Sequence, residues 1–278
     1  VVMLLFLAES ADTGKTLTGL SPAFELDPAM REGTRAVGPF TAIWFAVFMV
    51  PIFLWVREPK RSGRRLSVGQ SLGQLVQAVR DLVHRRSLAT FLVSSMFYRD
   101  SLNAVYGLGG AYASNVMGWS VTQSGIFGIL AAITAAGFSW AGGRMDARFG
   151  PKVVISWSIL ALTAVVAVMV GLTPESIFGI AMAEGSALPD AVFYLCGAVI
   201  GAAGGTVQAA SRTLMVYHVT AETAASGFGL YGLSGKATAF LAPAMVTAAT
   251  YASGSARIGI SPLIALFLVG LILLLWVN

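Results

Sequence analysis

Three charged residues stand where charge is expensive. Arg99 and Asp100 are neighbours in the middle of one apolar stretch, and Lys236 stands alone in the middle of another. A mid-span charge costs roughly 2.5–3.5 kcal/mol on insertion scales, so it is kept where it faces a bundle interior or a water-filled path. The chemistry open to such groups is to hold an opposite charge or to take up and release a proton. A structural ion pair that ties helices together is the alternative. Asn103 and Tyr106 follow Arg99 at i+4 and i+7 and share its helix face, with Asp100 one step round. This stripe cannot face lipid. Adjacent helix residues diverge, so Arg99 and Asp100 satisfy each other poorly. Lys236 is therefore the expected partner of Asp100, which leaves Arg99 free to hold an anionic group.

The elements that must position these residues are membrane helices. The 278-residue chain is 56% hydrophobic and 11% charged, with 31 Gly, and its mean hydropathy is +0.76. A soluble domain is about a quarter charged. Seven candidate spans approach the ~20 residues a crossing needs. They are Pro39–Val56, Leu88–Tyr112, Val121–Gly142, Val153–Leu172, Ala191–Leu214, Ala225–Tyr251 and Ile258–Val277. Val1–Ala8 is too short to cross and lacks the basic start of a signal peptide. It reads as the end of a helix whose beginning is absent, and the whole chain as the C-terminal part of a longer protein.

Charge orients the spans. The net +5 is concentrated between Arg57 and Arg86, which argues for orientation on a membrane and against nucleic acid as a partner. Arg144, Arg148 and Lys152 make a second basic loop, whereas 9–36 and 172–190 are acidic. The basic loops and the C-terminus are thus expected in the cytoplasm. Within the basic segment, Ser67 can cap a helix. Val68, Leu72, Leu75, Val76, Val79, Leu82 and Val83 then fall on one face, which reads as a helix lying on the bilayer.

Glycine marks the packing. Gly197, Gly201 and Gly205 form a small-residue ladder, extended by Ala209, that lets helices approach closely. Gly227, Gly229, Gly232 and Gly235 crowd the span that carries Lys236. Glycine at this density weakens a helix, so a bent or unwound stretch is expected there, as in transporters that expose backbone to substrate. Plain tight packing is the alternative for any single glycine.

No cofactor and no metal are expected. The single cysteine, Cys196, excludes an internal disulfide and a cysteine cluster. His84 and His218 have no supporting carboxylate pattern. Gly14-Lys15-Thr16 imitates the end of a phosphate loop, but Glu9 stands where the first glycine belongs. Gly137-Phe138-Ser139 is a weak look-alike of an intramembrane serine site, with no reactive pair beside it.

The loop Gly143-Arg-Met-Asp-Ala-Arg-Phe-Gly150-Pro-Lys152 resembles the signature loop of the major facilitator superfamily, Gly-x-Leu-Ala-Asp-Arg-x-Gly-Arg-Lys. Gly143, Met145, Arg148 and Gly150 match, while the aspartate is displaced to Asp146 and Ala147 occupies its usual place. Phe97-Tyr-Arg-Asp100, Gly204-Gly-Thr-Val-Gln-Ala-Ala-Ser-Arg212 and Phe228-Gly-Leu-Tyr-Gly-Leu-Ser-Gly-Lys-Ala-Thr238 resemble the Unknown Major Facilitator branch, related to the fungal vacuolar effluxer that returns amino acids to the cytosol after autophagy. The resemblance implies an all-α polytopic bundle of the major facilitator type. It implies three parts: 1–56, the end of an N-terminal half; 57–87, the cytoplasmic loop between halves; and 88–278, a six-helix transport half. It implies a secondary transporter of the bacterial inner membrane moving a small solute, such as an amino acid, by alternating access against a missing N-terminal half. On this reading Arg99, Asp100, Asn103, Tyr106, Gln208, Tyr231, Ser234 and Lys236 line the substrate and coupling-ion path. Asp100 is a protonation switch or the counter-charge to Lys236, and Gly143, Asp146, Arg148 and Gly150 form a gating loop. A non-transporting membrane scaffold or receptor and an intramembrane enzyme are the alternatives.

Overall fold

The computed structural model describes residues 14–56 with gaps at 17, 22, 28, 29 and 31, seven positions between 69 and 82, and residues 84–277 except 184 and 222. It falls into two compact units, residues 1–67 with 120–125, and 68–119 with 126–277. Val1–Ala8, Ser67 and Val68 lie outside the described residues. Gly69, Gly73, Val76, Gln77, Val79, Arg80 and Leu82 are helical, within the stretch expected to lie on the bilayer.

The first unit contains a short 3-10 turn at Ala23–Glu25 and helix α1, Glu32–Trp55. Its Trp44 ring lies 5.8 Å from Phe40 and 4.7 Å from Phe48, and from Ile43 to Trp55 most of its large apolar side chains are exposed. A helix apolar on its outer faces is suited to lipid or to other membrane helices.

The second unit is an all-α bundle. Its helices are α2 (Arg86–Asn115), α3 (Val121–Phe149, entering this unit at Ile126), α4 (Pro151–Gly171), α5 (Leu188–Tyr217), α6 (Ala224–Ala237), α7 (Leu241–Ser253), α8 (Ala256–Gly259) and α9 (Pro262–Leu275). A two-residue-strand hairpin, Ser176–Ile177 against Ile180–Ala181, follows α4. Among the described residues five segments are long and apolar enough to cross a membrane, two fewer than the seven expected spans. The difference has two causes. Helix α2 is 30 residues long but polar, burying Ser94, Ser95, Asp100 and Ser101. The segment Ala225–Tyr251 is broken at Thr238–Phe240 into α6 and α7.

Helix α2 lies at the middle of the bundle and packs on α9, α6 and α7. Small residues allow it. Ser94 Oγ donates to the Gly270 carbonyl on α9 at 2.6 Å, and a Cβ at Gly270 would stand 3.1 Å from Tyr98. Tyr98, 1% exposed, places its hydroxyl 2.8 Å from Ser211 Oγ on α5. Ser94 and Tyr98 thus tie α2 to other helices, which is how polar residues hold helices together in lipid, while Ser95 and Ser101 donate to carbonyls of α2 itself, those of Leu92 and Phe97.

The glycine ladder meets α3. A Cβ at Gly197 would strike the Phe127 ring, at Gly201 the Ala131 carbonyl, and at Gly205 the Ala135 carbonyl at 2.6 Å. In contrast to the expected unwinding, α6 is helical through Gly227, Gly229, Gly232 and Gly235. The break comes after them, where Pro243 in the first turn of α7 lacks the N–H that would continue the helix.

Candidate functional site

Arg99 and Asp100 grip the two sides of that break. The Arg99 guanidinium donates from Nη1 to the Tyr231 carbonyl at 2.9 Å and lies over the Tyr231 ring, 4.0 Å from its centroid. Phe91 stacks with the same ring at 6.0 Å and an interplanar angle of 8°. Gly235 makes room, since a Cβ there would come within 2.6 Å of the guanidinium carbon. Ser234 Oγ also donates to the Tyr231 carbonyl, at 2.9 Å. Tyr231 is the eighth of the 14 residues of α6, so Arg99 ties α2 to the middle of that helix, with its guanidinium against Gly235 in the last turn.

Asp100 does the converse. Its Oδ2 accepts from the backbone N–H of Ala242, in the first turn of α7, at 2.9 Å, and both residues are buried. A carboxylate at a helix N-terminus satisfies a donor that has no partner within the helix and complements the positive dipole end. The expected Asp100–Lys236 ion pair is not formed among the described residues. Asp100 is 2% exposed and its bond goes to α7, while Lys236 is exposed in the last turn of α6. The physical reason is the break in the helix, which offers a nearer electropositive group than an ammonium.

The remaining path candidates lie on the outside of this frame. Asn103, Tyr106 and Gln208 are exposed, and Tyr106 is 42% so. Tyr106 interacts with Gln208, and its hydroxyl rests against Gly204, where a Cβ would clash with it. The structure therefore joins Arg99 with Tyr231 and Ser234, and Tyr106 with Gln208. It leaves Asn103 and Lys236 exposed and turns Asp100 inward.

The signature loop is built differently from the family pattern. Gly150 takes φ +83° as α4 begins at Pro151, a conformation natural to glycine. Arg144 lies 3.6 Å from the Trp140 ring centroid and Arg148 5.3 Å from that of Phe149, so both arginines rest on aromatics of their own helix. Gly143 is exposed with open space around it. Asp146 is 6% exposed, and neither carboxylate oxygen has a hydrogen-bond partner among the described residues, with Thr213 of α5 beside it. Lys152 donates to the Leu275 carbonyl at 2.9 Å and to that of Val277, closing the C-terminal end of α9.

Sequence reasoning missed the capping role of Asp100 and the bonds of Lys152. Pro243 was the available signal for the first, since proline is at home in the first turn of a helix and marks where α7 starts. His218, read as unsupported, bonds Ser87 Oγ from Nε2 at 2.9 Å and stacks with Phe91 at 5.7 Å. No group of three or more potential metal ligands occurs among the described residues.

Residues 27–278 match the family described as "Vacuole effluxer Atg22 like". The chain is also similar to an uncharacterized MFS-type transporter, YxiO, of Bacillus subtilis (strain 168). They are 23% identical over 243 residues, which is 85% of this chain and 52% of that protein. The chain thus spans about half the length of this curated relative. No solved structure matches. With nine-tenths of its length matched by one family and an all-α membrane bundle to go with it, the chain belongs to the Atg22-like vacuole effluxer family, transporters of the major facilitator type.

Proposed function

We propose that this chain is one wall of a secondary transporter that moves a small solute, an amino acid or a similar molecule, by alternating access. One observation carries the reading. Asn103 and Tyr106 on α2, Gln208 on α5 and Lys236 on α6 are all exposed. Hydrocarbon cannot satisfy exposed polar side chains, so these surfaces border a water-filled path or a second wall. The second wall is an upstream half of the same protein, and the solute binds between them near the midplane. Membership in a transporter family agrees with this and points away from an enzyme.

The coupling is to protons, with Asp100 as the switch. Protonation would remove the charge from its bond to Ala242 and loosen α7 from α2. The protein lies in a bacterial cell membrane with its C-terminus and the 143–152 loop in the cytoplasm. The orientation follows from the lysine and arginine asymmetry of the loops.

The test is flux. The full-length protein is reconstituted in liposomes loaded with an unlabelled amino-acid mixture, and uptake of the labelled mixture is followed with and without a pH gradient. Saturable counterflow accelerated by the gradient is the expected result. Counterflow indifferent to the gradient refutes the proton coupling, and none at all refutes the transport reading for these solutes.

A further inference from the structure

Asp146 is a buried acid to which the transport reading gives no task. It lies in the last turn of α3 and is 6% exposed, and both its carboxylate oxygens are buried without a hydrogen-bond partner among the described residues. The seam beside it is tight. One turn earlier, a Cβ at Gly142 would stand 2.9 Å from the Thr206 methyl carbon of α5, and Thr206 Oγ1 donates back to the Phe138 carbonyl at 3.0 Å. Thr213 of α5 is the polar neighbour of Asp146, and its own hydroxyl is directed to the Ala209 carbonyl at 3.4 Å. The cations nearby are turned elsewhere. Arg144 and Arg148 lie over the Trp140 and Phe149 rings. Arg212, next to Thr213, is exposed and interacts with Tyr231 of α6. Lys152 is bonded to carbonyls at the end of α9.

Three features of this place disfavour a carboxylate. An isolated buried charge is costly, and such a group takes up a proton instead. The C-terminal end of a helix is the negative end of its dipole and repels an anion. A hydroxyl that donates to a carbonyl turns its lone pairs outward, and these accept from an acid O–H but repel a carboxylate. A hard metal ion would need more oxygens than one carboxyl and one hydroxyl. Both oxygens of Asp146 are already covered within this chain, so a side chain from elsewhere in the protein reaches them only if the seam opens. A proton needs no such room. We propose that Asp146 is a proton-binding site, held as a neutral acid between α3 and α5 with its O–H directed to Thr213. When the proton leaves for water the electron pair stays on the carboxylate, which is satisfied only once the C-terminal end of α3 parts from α5. Asp146 is thus a latch on the 143–152 loop, distinct from Asp100 and independent of which solute is moved.

The experiment uses the full-length protein. Infrared spectra of wild type and Asp146→Asn are recorded in nanodiscs at neutral pH and subtracted. The expected difference contains the C=O stretch of a protonated carboxylic acid. Thr213→Val should keep that band and displace its frequency. Stability against pH is the second readout, by reversible unfolding in mixed detergent–SDS micelles. The carboxyl ionises near its ordinary value of about 3.9 in the unfolded chain and at higher pH in the folded one. Its contribution is therefore full below about pH 4 and is lost as pH rises. Between about pH 5 and 7 the wild type should lose about tenfold in its folding constant per pH unit relative to Asp146→Asn. A difference spectrum without the acid band overturns the proposal. So does an Asp146→Asn variant whose loss of stability is the same at every pH, the mark of an ionised and paired Asp146. Should that variant not fold, Thr213→Val decides alone, and an acid region identical to that of the wild type overturns the assignment. The latch is read in protein with its other cysteines replaced. Thr206→Cys, placed against Gly142, should become reactive as the acid band is titrated away, and adding Asp146→Asn should keep it closed at the same pH. Equal reactivity with and without that change refutes the opening of the seam.

Discussion

Replacing Asp100 separates the cap seen in the structure from the ion pair expected of the sequence. Asp100→Ala removes an ionised acceptor from a buried N–H, because Ala242 is 0% exposed and its bond to Oδ2 is 2.9 Å long. Hydrogen bonds to charged groups contribute about 1.5–3 kcal/mol, and a buried donor left alone costs about as much. The loss should therefore be about 2–3 kcal/mol. Asp100→Asn is isosteric and keeps an oxygen aimed at the same N–H. It forfeits the interaction of the charge with the N-terminus of α7, worth about 0.3–1 kcal/mol and up to ~2 when partly buried. Its loss should be about 1 kcal/mol.

The assay is reversible unfolding of the full-length protein in mixed detergent–SDS micelles, with Lys236→Gln and the Asp100→Asn, Lys236→Gln double variant alongside. The expected order is wild type, then Asn, then Ala, with Lys236→Gln adding independently, its coupling to Asp100→Asn below about 0.5 kcal/mol. An ion pair would give a different pattern. Asn and Ala would be equally damaging, and neutralising Lys236 would restore what Asp100→Asn had lost. Either outcome would refute the cap as the main role of Asp100.

Three further outcomes follow from contacts elsewhere. Gly201→Ala should destabilise the bundle by about 1–3 kcal/mol, because its Cβ would meet the Ala131 carbonyl of α3, whereas Gly110→Ala, in open space, should be tolerated; equal stability of the two variants in the same micelle assay would contradict the packing. Lys152→Met keeps the aliphatic stem but removes two bonds to the end of α9, and should cost about 1 kcal/mol, with hydrogen exchange rising in residues 271–275 before other helices; unchanged exchange there would argue against the cap. In a Cys196→Ala background, cysteine at Ser186 should react with an impermeant reagent on intact cells and cysteine at Ala147 should not, and the reverse pattern would invert the orientation.

Much of the fold was legible because a membrane leaves a chain few options. Backbone in lipid must satisfy its own hydrogen bonds, so apolar runs near 20 residues become helices. Four of the five apolar segments, Arg35–Trp55, Pro151–Gly171, Leu188–Tyr217 and Ala256–Leu275, coincide with expected spans to within several residues. The fifth, Val121–Phe149, runs past the expected end at Gly142 into the signature loop. Hydropathy ends a span where polarity begins, but Arg144 and Arg148 stay helical by lying on Trp140 and Phe149. The helix break was expected among the wrong residues for a similar reason. Propensity placed it at the glycines of α6, yet all four are helical: Gly235 lies against Arg99 of α2 and Gly227 against Val219 and Met215, while Gly229 and Gly232 stay helical in open space.

The partner of Asp100 was illegible for a deeper reason. Counting side-chain charges left Lys236 as its only candidate, but a broken helix supplies charge without any ionisable residue. The unpartnered N–H groups at the start of α7 act as about half a positive charge. Adjacent Arg99 and Asp100, which diverge on α2 and so fail as a pair, are suited by that divergence to hold a carbonyl of α6 and an amide of α7 at once. The dipeptide thus works as a bracket across the break, and its cost in the membrane is met by backbone.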